Sequence, residues 1–229
     1  SSTGIVYKMK VWKLPQGTPQ SKGKAMINLL PLSDGENITT IMPLPENEQE
    51  WENLYIMFTT EKGNVRKNKL SDFVDVRANG KIAMKLQDSD EIKTVETCTD
   101  DDDLLITTLK GQCIRFRASD VRLFVGRSST GVRGIKLAQG DRVISSAIIK
   151  SMSASTEERA AYLKMSRAVR GDIESEHDEN DENAENITPA ILSDEKYAEM
   201  GASEQFILSI SNNGYGKRTS TFELSLIHI

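Results

Sequence analysis

The sequence has few of the residues from which metal sites and disulfide frameworks are built. It contains two cysteines and two histidines among 229 residues. Neither Cys98 nor Cys113 has a partner at metal-ligand spacing, so both are interpreted as packing residues. Paired carboxylates, a nucleophile beside a base and a phosphate-binding loop are also missing from the pattern. An enzyme with its own active site is therefore the weakest function class.

Long apolar segments are missing as well. Nowhere do eighteen apolar residues run together, and no charged-then-apolar leader opens the chain. The sequence therefore predicts neither membrane insertion nor secretion, and a cytoplasmic location is expected. An apolar fraction of 38% is enough to build a core. The first residue is serine rather than methionine, which indicates a fragment of a longer protein.

Charge is distributed unevenly along the chain. Residues 151–204 contain 14 acidic and 5 basic residues, whereas the rest of the chain contains 24 basic and 20 acidic residues. The body of the protein is thus mildly basic beside one acidic segment. A modest positive balance proves little by itself, so the placement of the cations carries the interpretation.

A short motif occurs four times, and its copies align on four glycines. These are Gly4, Gly63, Gly111 and Gly214. The fourth residue after each glycine is Lys8, Lys67, Arg115 and Arg218, and the sixth is Lys10, Lys69, Arg117 and Ser220. Residues i and i+2 of a strand share a face. Each copy is therefore predicted to line one solvent-facing strand face with cations.

The segments around these glycines have the pattern of short strands. The apolar runs "LYIMFTT", "LLITTL" and "FILSIS" precede three of the glycines, which predicts hairpins. A second pattern, "LSDGENI", "LQDSDEI" and "LAQGDRV", predicts tight turns. Each repeat then has about four strands in about fifty residues, which is typical of propeller blades. The predicted fold is all-β, a propeller-like array of about four-stranded blades.

An insertion interrupts the repeats. "STEERAAYLKMSRAVRG" predicts a helix with Ser155 and Glu158 as a capping box and Gly171 as its stop. The acidic tract 172–186 is predicted to be disordered, and "LSDEKYAEM" indicates a second short helix. The predicted division is blades over 1–150 with the first unit incomplete, a partly helical acidic insertion over 151–204, a further blade beginning over 205–224, and a non-native tail over 225–229. The tract is either a solvated loop or a tethered polyanion that competes for the cations.

Cations repeated once per blade predict a positive belt that suits a long, curved polyanion. Lysine and arginine bind phosphates with strong salt dependence and little sequence preference. Loop segments such as "PQSKGKA", "VRANGKI" and "GRSSTGVRG" add further cations next to glycines. The predicted DNA-binding residues are Lys8, Lys10, Lys22, Lys24, Arg66, Lys67, Lys69, Arg77, Lys81, Arg115, Arg117, Arg127, Arg133, Lys217 and Arg218.

Four segments in order resemble one family. "LPQGTPQSKGKAMINLLPL", "LSDF", "VGRSSTGVRGIKL" and "NGYGKRT" are similar to the β-pinwheel C-terminal domain of the DNA gyrase A subunit. The resemblance implies a six-bladed disc, of which this chain is a fragment, that wraps double-stranded DNA around its rim. It also implies an A2B2 holoenzyme with gyrase B subunits and a second A subunit, which introduces negative supercoils. No cofactor is expected in this fragment, because ATP and magnesium would belong to the catalytic core and the partner subunit.

The chain also departs from the family pattern. The family's basic heptapeptide is absent and is expected upstream of Ser1, and no tyrosine stands in the context of the catalytic one. The fragment is therefore not expected to cleave DNA by itself. The equivalent domain of topoisomerase IV, which acts in decatenation, remains an alternative. A propeller that binds proteins rather than DNA is a second alternative, and it predicts no salt-dependent DNA affinity.

Overall fold

The computed structural model describes residues 1–126, 128–170 and 192–224. These residues form two compact units, Ser1–Ile148 and Ile149–Ser225. The strands are β1 (Ile5–Val6), β2 (Tyr55–Thr60), β3 (Asn64–Lys69), β4 (Lys81–Ile82), β5 (Ile92–Cys98), β6 (Asp103–Thr108), β7 (Cys113–Arg117), β8 (Val132–Arg133), β9 (Val143–Ile149), β10 (Phe206–Ile210) and β11 (Gly216–Ser220). The helices are α1 (Thr156–Arg170) and α2 (Asp194–Ser203). The all-β prediction for the body of the chain is confirmed.

Three hairpins have the same turn, as the repeat predicts. β2 pairs with β3, β6 with β7 and β10 with β11, all antiparallel. The aligned glycine in each turn has a φ of +81° to +83°. Its N–H donates a hydrogen bond of 3.0 Å to the carbonyl three residues earlier. The glycine is used because this left-handed conformation is unfavourable for residues with a Cβ.

Neighbouring repeats share strands in the first unit. The four-stranded sheet has the order β5-β2-β3-β8, and β8 comes from the repeat that follows. β4 pairs with β1 in the same way, and a three-stranded sheet has the order β7-β6-β9. Equivalent hydrogen bonds of 2.8 Å run from the N–H of Ala83 to the carbonyl of Gly4 and from the N–H of Gly134 to that of Gly63. A blade is therefore not one repeat of the sequence, because the second and third repeats each add a short strand to the sheet before them.

Strand β2 is buried on both faces. Ile56 and Phe58 pack into one core cluster with Trp51 and Phe73. Met57, which points to the opposite face, packs into a second cluster with residues of β6 and β7. Alternating side chains of a strand face opposite sides. The sheet of β2 therefore lies between two apolar layers, which is the face-to-face packing expected of propeller blades.

The acids of two of the three predicted turn motifs hold the neighbouring hairpins. The Oδ1 atom of Asp90 accepts a hydrogen bond of 3.0 Å from the N–H of Lys62, and that of Asp141 accepts one of 3.0 Å from the N–H of Lys110. Lys62 and Lys110 each precede an aligned glycine. The two sequence patterns are thus two halves of one structural unit, in which a carboxylate fixes the hairpin turn.

The second unit contains both predicted helices. Ser155 and Glu158 form the predicted capping box: the N–H of Ser155 donates to Glu158 Oε2 at 2.7 Å, and the N–H of Glu158 donates to Ser155 Oγ at 3.2 Å. α1 and α2 bury Tyr162 and Met200 in a core of their own, with Phe222 packed against it. The helices are therefore a packed structure rather than a solvated loop. Gly171, the acidic tract and residues 225–229 lie outside the described residues.

Two further sequence expectations concern cysteine and the membrane. Cys98 is buried, as expected of a packing residue, but Cys113 is exposed, so its assignment to packing is wrong. Cys113 begins β7, beyond the part of that strand that the core covers. Neither helix in the part of the chain that the structure describes is long and apolar enough to cross a bilayer.

Candidate nucleic-acid interface

The cations six residues after the aligned glycines are exposed. Lys69 is the last residue of β3 and Arg117 is the last residue of β7. Both side chains are exposed, and so is that of Lys10 in the first repeat. The strand pairs and the packed core therefore place an exposed cation at the same position in three consecutive repeats. This set of three is called the outer column.

The cations four residues after the glycines have different surroundings, and the expectation that they face solvent is wrong for two of them. Lys67 is only 4% exposed. Its Nζ lies 2.6 Å from Asp100 Oδ1 and 2.8 Å from the carbonyl oxygen of Ala118. Because both partners come from the following repeat, Lys67 joins neighbouring blades. Lys69, two residues further along the same face, lies at the strand end beyond this contact.

Arg115 is buried in an equivalent manner. Its Nε and Nη2 atoms donate to Asp103 Oδ2 at 2.9 and 2.7 Å. Both residues are buried, and a buried ion pair is strongly destabilised when one partner is removed. Arg115 is therefore assigned to blade structure, and DNA contact through its side chain would require this pair to break.

A common geometry explains this inner column. Lys8, Lys67, Arg115 and Arg218 form the column, and in three hairpins the cation meets the residue eight positions before the glycine. The Nζ of Lys67 lies 5.0 Å from the ring centre of Tyr55, and the guanidinium of Arg218 lies 4.2 Å from that of Phe206. Asp103 is the corresponding partner of Arg115. These contacts stabilise each hairpin diagonally across its two strands.

The first and last members of the inner column keep some exposure. Lys8 is half-buried, with its Nζ 2.8 Å from Glu48 Oε1 and 4.6 Å from the ring centre of Trp51. Arg218 is exposed despite its contact with Phe206.

Near the buried Lys67, the Asp100 carboxylate raises the pKa of Tyr55 through a hydrogen bond and its charge.

Arg66 also has an internal role that the sequence did not predict. Its side chain is fully buried. The guanidinium donates to the carbonyl of Ser129 at 2.7 Å and to that of Gly126, while Asn68 Nδ2 donates to the carbonyl of Phe124 at 2.9 Å. Arg66 and Asn68 thus fix the loop backbone at Phe124, Gly126 and Ser129. Arg127, a predicted contact in this loop, lies outside the described residues.

The remaining predicted residues are mostly on the surface. Lys81 is half-buried and donates to the carbonyls of Asp72 and Asp75 at 3.0 and 2.9 Å. The exposed ones are Lys22, Lys24, Arg77, Arg133, Lys217 and Arg218. DNA contact by any of the fifteen stays a prediction, and it is revised for Arg66, Lys67 and Arg115 because of their burial.

Sequence reasoning left out further exposed cations, among them Lys85, Lys136 and Arg122. Lys85 and Lys136 are both exposed, and each lies five residues after an equivalent glycine, Gly80 or Gly131. The sequence contained a signal for these two lysines, because aligning the repeats on Gly80 and Gly131 places Lys85 and Lys136 at the same position. Arg122 is exposed as well, and its guanidinium lies 4.3 Å from the ring centre of Phe124.

Carboxylates, histidines and cysteines do not gather into a group that could hold a metal ion anywhere in residues 1–126, 128–170 or 192–224. Exposed lysine and arginine side chains on a β scaffold suit recognition of phosphates.

Comparison with known proteins gives the family. A profile described as the DNA gyrase C-terminal domain, beta-propeller, matches residues 1–45, 54–99, 102–150 and 205–228. The chain is 43% identical to the DNA gyrase A subunit of Granulibacter bethesdensis over 97% of its own length and 25% of that protein. It thus spans about a quarter of the length of the curated relatives it matches.

Solved structures give the same result. A crystal structure of the C-terminal domain of DNA topoisomerase IV matches with a TM-score of 0.58 and 26% identity, over 66% of this chain and 46% of that one. A DNA gyrase A C-terminal domain matches with a TM-score of 0.53 and 27% identity, over 65% of this chain and 46% of that one. Fold and exposed cations together define a β-propeller of the type II topoisomerase C-terminal class. Within that class, the chain belongs to the DNA gyrase C-terminal domain family.

Proposed function

We propose that this chain binds duplex DNA along its exposed cations and bends it around the blades, as the DNA-wrapping domain of a gyrase A subunit. The observation that carries the proposal is the outer column, in which Lys10, Lys69 and Arg117 stay exposed at equivalent positions of three repeats. The inner column is largely used by the fold. Each of three consecutive repeats therefore presents one exposed cation at the same position of its motif, which suits contact with the phosphates of one DNA backbone.

The two columns provide a direct test. We expect the Lys69→Gln/Arg117→Gln double variant to bind duplex DNA more weakly, whatever its sequence. The slope of log K against log salt should become shallower by about 0.9 for each phosphate that the protein no longer neutralises. Binding is measured by fluorescence anisotropy over a range of salt concentrations, and folding by circular dichroism.

A matched control uses an exposed lysine outside both columns. Lys164 in α1 is exposed, and Lys164→Gln should leave affinity and salt slope unchanged. If the outer-column double variant remains folded and binds DNA as the Lys164→Gln control does, the proposal that DNA binds along the outer column is wrong. A protein-binding propeller would show no salt-dependent DNA affinity in the parent chain.

We further infer that the complete protein acts in an assembly of two A and two B subunits, in the bacterial cytoplasm at the nucleoid. In that assembly, ATP and magnesium would be held by the catalytic core and the partner subunit, and this domain would need no cofactor. The similarity to curated gyrase A subunits supports this assignment. The likeness to the topoisomerase IV domain favours decatenation as the second candidate. Introduction of negative supercoils into a relaxed plasmid by the full-length assembly would decide for gyrase.

A further inference from the structure

An exposed tryptophan lies beside the outer column in the first repeat. Trp12 is 78% exposed, in the short 3-10 turn Val11–Lys13. The second tryptophan of the chain, Trp51, is 2% exposed and donates its indole N–H to the carbonyl of Pro45 at 2.9 Å. A large aromatic side chain that is left in water loses the free energy that its burial would contribute, which makes Trp12 a candidate for contact with a partner.

The second and third repeats show that this position faces outward, whereas in the fourth repeat its counterpart Phe222 packs against the core of α1 and α2. Trp12 and Lys13 align with Ser71–Asp72 and Ser119–Asp120, which are half-buried or exposed. The flanking positions behave differently: Leu70, Phe73, Ala118 and Val121 are buried. Exposure of Val11 and Leu14 therefore reflects incomplete coverage of core positions. Trp12, in contrast, is exposed at a position that is also at the surface in the second and third repeats.

The first repeat also reverses the charge at this turn. Where the second and third repeats have Ser–Asp and the fourth has Phe222–Glu223, it has Trp–Lys, and the Nζ of Lys13 lies 5.4 Å from the Trp12 ring centre. Asp72 and Asp120 accept hydrogen bonds within their own blades, whereas Lys13 adds a cation. The first 33 residues contain five lysines and no acidic residue. In the structure Glu48 pairs with Lys8 and lies near Lys10. The Trp12 ring lies beside the exposed cations Lys10 and Lys13, and an aromatic ring beside exposed cations is a surface that suits DNA.

We propose that Trp12, between Lys10 and Lys13, is an aromatic DNA contact at which the duplex is bent. The lysines hold phosphates on either side, and the indole ring packs into the minor groove against the deoxyribose and base edges of one step. Apolar side chains placed in this way open a step and make bending easier. This contact rests on the proposed DNA binding and adds a site that the repeated cations alone do not provide.

Trp12 can report on its own contact. Because Trp51 is buried, the fluorescence of Trp12 should dominate any change on DNA addition. We expect duplex DNA to quench and shift the emission of the parent chain, and to change that of Trp12→Phe much less. Titration with duplex DNA of about 30 base pairs, a length comparable to bent sites, gives the affinity in the same experiment.

The salt slope separates the aromatic contact from the lysines. Trp12→Ala should weaken binding about five- to twenty-fold with an unchanged slope, since base–aromatic contacts of this size carry no charge. Lys13→Gln should weaken binding and reduce the slope by about 0.9. Trp12→Ser/Lys13→Asp, which copies the second and third repeats, should show the largest loss.

The outcomes distinguish this contact from DNA binding in general. If Trp12→Ala binds duplex DNA like the parent and emission does not change, the Trp12 contact is wrong. In that case the Lys69→Gln/Arg117→Gln variant still tests DNA binding by the outer column independently. A response to single-stranded DNA alone would also overturn the contact, because it would assign the ring to base stacking rather than to a bent duplex.

Discussion

Lys67 and Lys69 lie on one strand face but differ in role, because only Lys67 is covered by residues of the following repeat. Lys67 meets Asp100 and Ala118, while Lys69 ends the strand in solvent. The sequence predicted correctly that a cation recurs at both positions. It could not show which one is buried, because burial is decided by residues of the following repeat. The residue ten positions after each aligned glycine is also apolar in every repeat, and it shows the same limit: Phe73 is buried, but its counterpart Leu14 is 47% exposed.

Substitutions at two glycines separate the effect of a steric clash on stability from the effect of backbone strain. Gly63 and Gly111 have φ values of +82° and +83°. A Cβ at Gly63 would lie 2.8 Å from Ile135 Cγ2, whereas one at Gly111 would have nothing within 4 Å. We expect Gly111→Ala to lower the free energy of unfolding by about 1 kcal/mol through strain alone. Gly63→Ala should lower it by about 2 kcal/mol more, because Ile135 must move.

Urea denaturation of both variants measures this difference. The two substitutions change the backbone in the same way, so each serves as the control for the other. Equal losses of stability would show that strand sharing with the segment of Ile135 does not restrict the space at Gly63.

Arg66 should be replaceable by no other residue. Arg66→Lys keeps the charge but loses the planar fork that reaches two carbonyls. We expect the free energy of unfolding to fall by about 1–3 kcal/mol. Hydrogen exchange in residues 128–131 should become faster than in β6, which serves as an internal reference. Unchanged exchange in that loop would contradict the supporting role of Arg66.

Hairpins were the elements that the sequence predicted best. β2, β6 and β10 coincide with the three apolar runs, since alternation and a left-handed glycine are local signals. The strands that cross between blades were missed. β1, β4 and β8 are two residues long, and their pairing joins distant segments, so no local periodicity reveals them.

The turn acids make the hairpins sensitive to acid. Burial disfavours the ionised form of Asp141, but hydrogen bonds from the Thr108 hydroxyl and the N–H groups of Lys110 and Arg142 outweigh this effect and lower its pKa. A carboxyl whose pKa is depressed by folding contributes stability above its unfolded pKa, and this contribution is lost as pH falls through the folded pKa. The loss should therefore occur below about pH 4.

Asp141→Asn should reduce this dependence on pH. The amide keeps the shape and one acceptor but cannot ionise. We expect the urea midpoint of the parent chain to fall more steeply than that of the variant between about pH 5 and pH 3. Parallel curves for the two proteins would show that Asp141 contributes no pH-dependent stability. Asp34→Asn, at an exposed acid of another turn, is the matched control.

At the scale of the molecule, the acidic tract is the segment whose role is still a prediction. Asp172–Glu185 lies outside the described residues, so its competition with DNA rests on sequence alone. Deleting 172–186 should tighten DNA binding at about 50 mM salt, where the Debye length is somewhat above 10 Å. The gain should shrink as salt rises, because screening weakens the competitor.

A neutral tract of equal length separates charge from length. Replacing its Asp and Glu with Asn and Gln should tighten binding as much as the deletion does. If neither variant changes affinity at low salt, the tract is a passive loop.

Strand sharing also determines how an array of this kind can change in length. The second and third repeats each supply a short strand to the sheet before them, β4 to β1 and β8 to β3. Inserting one more repeat of this kind fills one position for a shared strand and creates one, so the number of unfilled positions of this type does not change. Gene duplication can thus lengthen such an array while every junction keeps the same pairing, and sequence divergence is then restricted mainly at the few residues that cross between neighbours.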